Sequence, residues 1–465
     1  MSGDACVVRS RRLWPLLQIS ALALLLPVTS GTSAQTAMRW PTNGGPANTP
    51  PAGASALDRY LQQAQPGYPP PARALPLPFE VRTFEQMAEQ IVANQRIPGL
   101  AVAIVQNGRV LSARGYGVTD TLRPEPIDAH TVFRLASLSK SFAGTLAGIL
   151  AEEGVVDLAQ PVTRYVPGFR LSSPDSTARL TVGNVLSQST GLTRNAFDRD
   201  IEGNAQYADV RGKLAAAPLR CAPGACYSYQ NVAFSLIGDV VHATTGRYYE
   251  DNVQSRILKP LGMDDASLGL DGIVRSPRWA KPHVRAAGGW RSLMPKPTYY
   301  RLGPAAGVNA SIRDMAQYLL AQTGHRPDVL NARLLSNIHT PRVDTPTELR
   351  GSNWRRERLS AAGYGLGWRV YRYGGHAMYF HGGAVQGYRA AMALLPDRDL
   401  GVAILWNSES SLPSGLLPTI LDSAIGLPQT AWLKLEGNAA GSARDDDSSE
   451  TLGAGGSHEA SPPPR

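Results

Sequence analysis

The chain has 465 residues, of which 43% are hydrophobic, 18% charged and 7% aromatic. That balance is too apolar for a wholly disordered chain and too polar for a multispan membrane protein, and a chain of this length can bury roughly three quarters of its unfolded surface without a metal or disulfide scaffold. The formal charge of +9, from 46 basic and 37 acidic residues, is small for so large a body, so nucleic acid is not an expected partner.

Arg9, Arg11 and Arg12 precede an apolar run from Leu13 to Val28, and Thr32-Ser33-Ala34 follows as a small-residue cleavage site. This pattern predicts a signal peptide over residues 1–34, and with it a periplasmic or secreted protein that has no integral membrane domain once the segment is removed. Residues 35–82 hold ten prolines between Pro41 and Pro78 and are read as an extended linker. The folded unit is expected over 83–434. Residues 435–465, rich in Gly, Ala, Ser and Asp, have too few apolar residues to fold and are read as a disordered tail.

Within the unit, the β-rich runs 100–106 and 109–115 flank Asn107-Gly108, which predicts a hairpin because that dipeptide tolerates positive φ. Ser137 to Glu153 reads as a long helix stopped by Gly154. Helices are also expected over Leu236–Thr245 and Ile312–Thr323. Strands are expected over 365–373, 376–380, 389–396 and 400–406, the last two flanking a turn at Asp397-Arg398-Asp399. Strands from both ends around a helical middle predict an α+β fold of two subdomains. An antiparallel sheet flanked by helices meets an all-helical subdomain, with the site in the seam between them.

Cys221 and Cys226 are separated by Ala-Pro-Gly-Ala, a spacing unlike CxxC redox or zinc patterns. In an oxidising compartment they would close a disulfide ring, which the chain-entropy model values at about 2 kcal/mol. In a reducing one they would be two buried thiols.

Several chemistries are absent from the sequence. It contains no Gly-x-Ser-x-Gly, no His-Glu-x-x-His, no P-loop and no Gly-x-Gly-x-x-Gly after a strand, and its eight His lack metal-ligand spacing. No metal and no cofactor are therefore expected. What remains is Ser137-Leu-Ser-Lys140 at the start of the predicted helix. Residues three apart share a helix face, so the hydroxyl and the amine lie within hydrogen-bonding reach. A serine is a poor nucleophile until a neighbour takes its proton, and a lysine can do so once burial or nearby charge lowers its pKa. The chain has only six lysines, and Lys140 alone has Ser three residues before it.

From about residue 85 to 430, the sequence resembles the serine β-lactamase and penicillin-binding-protein-like hydrolases, in the branch of class C β-lactamases, D-alanyl-D-alanine carboxypeptidases and related esterases. The resemblance is carried in order by Ile97-Pro98-Gly99-Leu100, Ser137-x-x-Lys140, the segment Leu180 to Leu192, Tyr229-Gln230-Asn231, Tyr364-Gly-Leu-Gly-Trp368 and His381-Gly382-Gly383. It implies Ser137 as the acylated nucleophile, Lys140 and Tyr229 as its proton partners, and Asn231 as a contact for the substrate amide that also orients Lys140. It implies an oxyanion hole from the backbone N–H groups of Ser137 and Ala384. His381, Gly382 and Gly383 would bind substrate, the glycines letting its backbone approach the strand. Two departures stand out. His381 replaces the lysine of a Lys-Thr-Gly element, so a residue titrating near neutrality is expected where a permanent cation would hold carboxylate-bearing substrates. Gln188 replaces a histidine common in the family.

These features predict an exported, monomeric, metal-free serine hydrolase forming an acyl-enzyme on a small amide, ester or peptide, for which a cell-wall fragment is one source. A true class C-like β-lactamase is the alternative within chemistry. A penicillin-recognising, cell-wall-binding module with little turnover is the alternative from another class.

Overall fold

The computed structural model describes residues 79–93 and 96–433. The expected signal peptide and tail, and nearly all of the expected linker, lie outside the described residues. The first described helix, Val81–Ala93, begins inside the span read as linker and packs Phe84, Ala88 and Ile91 into the core.

In chain order the strands are β1 (Gly99–Gln106), β2 (Arg109–Gly117), β3 (Val132–Arg134), β4 (Ser267–Leu268), β5 (His283–Ala286), β6 (Gly289–Ser292) and β7 (Val308–Ser311). They continue with β8 (Val343–Asp344), β9 (Leu359–Tyr364), β10 (Arg369–Tyr373), β11 (His376–Val385), β12 (Tyr388–Leu395) and β13 (Leu400–Trp406). Eight form one antiparallel sheet in the order β2-β1-β13-β12-β11-β10-β9-β8, so the N-terminal hairpin joins the C-terminal strands through β1 and β13. Asn107 and Gly108 turn the hairpin with φ of 49° and 71°, the left-handed values that this dipeptide accepts at low cost.

Helices cover both faces of the sheet, which is why β1, β12 and β13 read as nearly unbroken apolar runs. One face packs the helices Val81–Ala93 and Leu416–Ile425 against Val102, Ile104, Val402 and Ile404. The other packs Phe142 and Leu146 of the helix Ser139–Glu152, and Met315 and Leu319 of the helix Ile312–Gln322, against Ala103, Ala403 and Leu405. The helical middle continues from that second layer. The architecture is α+β, an antiparallel sheet flanked by helices.

The run 365–373, expected as one strand, is split: β9 ends at Tyr364, β10 starts at Arg369, and Gly365–Trp368 turns between them. Gly367 has a φ of 76°, and a Cβ there would collide with the carbonyl of Lys140. A Cβ on Gly144 would collide with the carbonyl of Leu366. The two glycines let this turn lie against the backbone of the helix that carries Lys140, and the apolar run is broken for that contact.

Candidate active site

Ser137 sits in a single 3-10 turn, Ala136–Leu138, that runs into the helix Ser139–Glu152. Ala136 before it has a φ of 49°, an unfavourable value for a residue with a Cβ, which sharpens the turn presenting the hydroxyl. Strand β11 crosses close by, and a Cβ on Gly383 would collide with the carbonyl of Leu135. Gly383 therefore lets protein backbone approach protein backbone, a role beside the approach of substrate that the resemblance implies. The result carries Ala384, the next residue on β11, up to the turn of Ser137.

Lys140 is fully buried, and its Nζ lies 3.2 Å from Ser137 Oγ, 2.7 Å from Asn231 Oδ1 and 3.1 Å from the carbonyl of Ala305. Burial pushes its amine well below the usual range and the charge of Arg369 adds to that, while Asp198 opposes both. A neutral amine has two protons and one lone pair. In that neutral form Asn231 Oδ1 and the Ala305 carbonyl, which only accept, take the two protons and the lone pair faces the Ser137 hydroxyl; in the ammonium form the third proton goes to Ser137 Oγ. On the other side, the Tyr229 hydroxyl donates to Ser137 Oγ at 2.9 Å. Hydroxyl, amine and phenol thus meet at one oxygen, although Tyr229 lies 92 residues along the chain.

A chain of buried polar groups supports this cluster. Asn231 Nδ2 donates to Asp198 Oδ2 at 2.7 Å, and the Tyr299 hydroxyl, 3.4 Å from that oxygen, donates to Glu202 at 3.0 Å. Burial raises the Asp198 carboxyl to about 6, against the hydrogen bond from Asn231 and the charge of Lys140. Asp198 is not among the sequence candidates; an acid at the start of the short helix Asp198–Glu202 gives no local sign that it will back an asparagine 33 residues away.

His381 is buried at 1% exposure. Its Nδ1 lies 2.7 Å from the Gly382 carbonyl and its Nε2 2.9 Å from the Tyr364 hydroxyl. The carbonyl can only accept, so the proton is on Nδ1 and Nε2 accepts from Tyr364. Burial, with the charges of Arg369 and Lys140, holds the imidazole well below its usual value. The expectation that this residue titrates near neutrality is corrected: it is a neutral group turned toward Tyr364. Gly382 lines a small cavity with Phe380, Trp354 and Trp406, residues of the core on the opposite face of the sheet from Phe142.

Cys221 and Cys226 are joined in a disulfide. The flanking chain is stitched to the segment 188–191 by bonds from Arg220 N to the Gly191 carbonyl, Gly224 N to that of Ser189 and Ser228 N to that of Gln188. Asn195, which follows the turn at Gly191, donates its backbone N–H to the Tyr229 carbonyl. Among the described residues, no group of three or more His, Cys, Asp or Glu could hold a metal ion, and no helix is long and apolar enough to cross a membrane.

A profile of the Beta-lactamase family matches residues 84–424. An unguisins hydrolase of Aspergillus campestris is 26% identical over 348 residues, 73% of this chain and 63% of that protein. The chain thus spans less than two thirds of the length of that curated relative. Among solved structures, an octameric penicillin-binding protein homologue from Pyrococcus abyssi superposes with a TM-score of 0.64 at 24% identity, covering 75% of this chain and 78% of the other. A D-amino acid amidase from Ochrobactrum anthropi, complexed with L-phenylalanine amide, gives 0.61 at 20% identity over 75% and 98%. These two likenesses show the shared fold.

Proposed function

This chain belongs to the Beta-lactamase family, and on that premise we propose that it is an exported serine hydrolase acting through an acyl-enzyme on Ser137. The observation that carries the reading is the convergence of Lys140 Nζ and the Tyr229 hydroxyl on one serine oxygen. Ser137 Oγ attacks a substrate carbonyl as its proton passes to Lys140. The oxyanion is held by the N–H groups of Ser137 and Ala384, and the loss of one such donor typically costs a hundredfold or more. Tyr229 gives its proton to the departing amine or alcohol and takes in its place the proton that Ser137 gave to Lys140, whose Nζ lies 4.7 Å from the centre of the Tyr229 ring. A water then retraces the path to release the acid.

Esters, amides and small peptides are favoured over carboxylate-bearing β-lactams, because His381 is neutral where a cation would hold the carboxylate. A relative that is named a hydrolase, the unguisins hydrolase, supports hydrolysis as the reaction class. The test is a panel of nitrophenyl esters, D- and L-amino acid amides and a chromogenic β-lactam, with adduct mass and product release followed together. Ester or amide turnover well above β-lactam turnover supports the reading. A stable penicillin adduct without turnover of any substrate would contradict it and favour a binding module. Export is tested separately by recovery of the processed chain outside the cytoplasm.

A further inference from the structure

Arg369 opens β10, across from Tyr364 on β9 and Phe380 on β11. Its side chain is buried, with Nη1 2.5 Å from Glu348 Oε1 and 3.3 Å from the Tyr227 hydroxyl. The guanidinium carbon lies 5.5 Å from the centre of the Tyr229 ring and 5.9 Å from that of Tyr364. Glu348 is also buried and is shared: its Oε2 accepts from Arg355 at 2.7 Å and from the Tyr371 hydroxyl at 2.9 Å. Two guanidinium groups divide one carboxylate, and one of them faces the phenol of the reactive cluster.

The other groups around that cluster are accounted for. The nucleophile helix contributes Lys140, and the helix Asp198–Glu202 contributes Asp198, bonded to Asn231, with Glu202 behind it. Strand β9 contributes the neutral Tyr364 and β11 the neutral His381, while Arg194 and Tyr227 lie on the loops beside Tyr229. Lys140 Nζ also lies over the Tyr229 ring, 4.7 Å from its centre, but its charge comes and goes with its proton; the positive charge there that stays fixed is that of Arg369.

We propose that Arg369, anchored by Glu348, is a positioning residue of the base system, seating the Tyr229 ring and supplying the fixed positive charge that His381-Gly382-Gly383, in place of Lys-Thr-Gly, does not. The inference rests on the serine hydrolase reading above and deepens it. A cation over the face of a phenol orients the ring. The same charge disfavours an ammonium on Lys140 and favours any negative charge that builds on Tyr229 as it gives up its proton. Both effects drive protons out of the cluster, so the working state persists to lower pH. At the effective dielectric of a protein, an unpaired unit charge 5.5 Å away moves a neighbour's titration by about two pH units, and the Glu348 partner reduces that to about one.

The experiment compares the acid limb of kcat/KM for a nitrophenyl ester in the parent, Arg369→Met, Arg369→Lys and Glu348→Gln, with folding of each checked by thermal melting. Arg369→Met removes positive charge, and its limb is expected about one unit higher in pH. Glu348→Gln removes negative charge, and its limb is expected lower. Arg369→Lys keeps the charge and is expected to keep the limb, with a lower kcat from loss of the planar fork. Arg369→Met and Glu348→Gln break the same ion pair, so a merely structural role would move both limbs alike or neither, and either result overturns the proposal. If Arg369→Met does not fold, the sign of the shift in Glu348→Gln decides alone: downward supports, unmoved or upward overturns. The same limb is read from the rate at which a fluorophosphonate labels Ser137. A protein that is labelled but turns over no substrate sinks the hydrolase reading while leaving this comparison decisive.

Discussion

Gln188 grips the backbone of Gln230 with both ends of its amide: Nε2 donates to the Gln230 carbonyl at 3.1 Å, and Oε1 accepts from its N–H at 2.7 Å. Gln230 lies between Tyr229 and Asn231, so this clamp sets the height at which phenol and amide enter the cleft. Gln188 is fully buried, with a φ of 59°.

Gln188→Ala leaves two buried backbone groups without partners, at about 1–3 kcal/mol each. A lower melting temperature and a tenfold or greater loss of kcat are expected, larger than the change in KM. Calorimetry and steady-state kinetics on one ester check it; full activity in a destabilised variant would place the clamp in folding alone.

Gly383→Ala puts a methyl group into the carbonyl of Leu135. The strand must move away from the turn of Ser137 and take the Ala384 N–H with it. Opening the oxyanion hole in this way is expected to cost about a hundredfold in kcat with little change in KM. A loss confined to KM would contradict the assignment of Ala384.

The Asp198 carboxyl, raised to about 6, makes stability depend on pH with a definite sign. The native state binds this proton more tightly than the unfolded chain, so the contribution is present below the unfolded value of 3.8 and is lost as pH rises through about 6. Asp198→Asn is expected to flatten the fall of stability between these values, a difference of about 3 kcal/mol at most. The variant also removes the charge that favours an ammonium on Lys140, so the acid limb of kcat/KM is expected to move to lower pH. Chemical denaturation across pH 4–7 and a pH–rate profile check the two parts.

The disulfide Cys221–Cys226 closes a short ring beside Tyr229. Cys221→Ser with Cys226→Ser is expected to cost about 2 kcal/mol. The backbone bonds to 188–191 hold the same loop, so kcat is expected to fall less than tenfold. Melting and kinetics with and without reductant are the measurements.

The parts legible in the sequence were those whose signal is local. Asn107-Gly108 announces its hairpin by turn chemistry, and Ser137-x-x-Lys140 its shared face by helical spacing. The resemblance then pointed to Tyr229, Asn231 and Ala384. Partners made only by tertiary contact escaped. Gln188 was noticed as a departure from the family without a role, and Asp198, Arg369 and Glu348 are charged residues whose spacing along the chain announces no pairing. Gly365–Trp368 departs from the expected strand because an apolar run with an aromatic end has the same pattern in a strand and in a turn pressed against a helix. The titration expected of His381 failed for a related reason, since burial and the Tyr364 hydroxyl, and not residue type, set the state of the ring.

The central claim is that Ser137 is the nucleophile, and the most direct measurement is intact-protein and peptide mass after treatment with a fluorophosphonate. The account predicts one adduct, on the peptide holding Ser137, together with loss of ester turnover, and neither adduct nor turnover in Ser137→Ala. An adduct on another residue, or Ser137→Ala hydrolysing the ester at the parent rate, would contradict it.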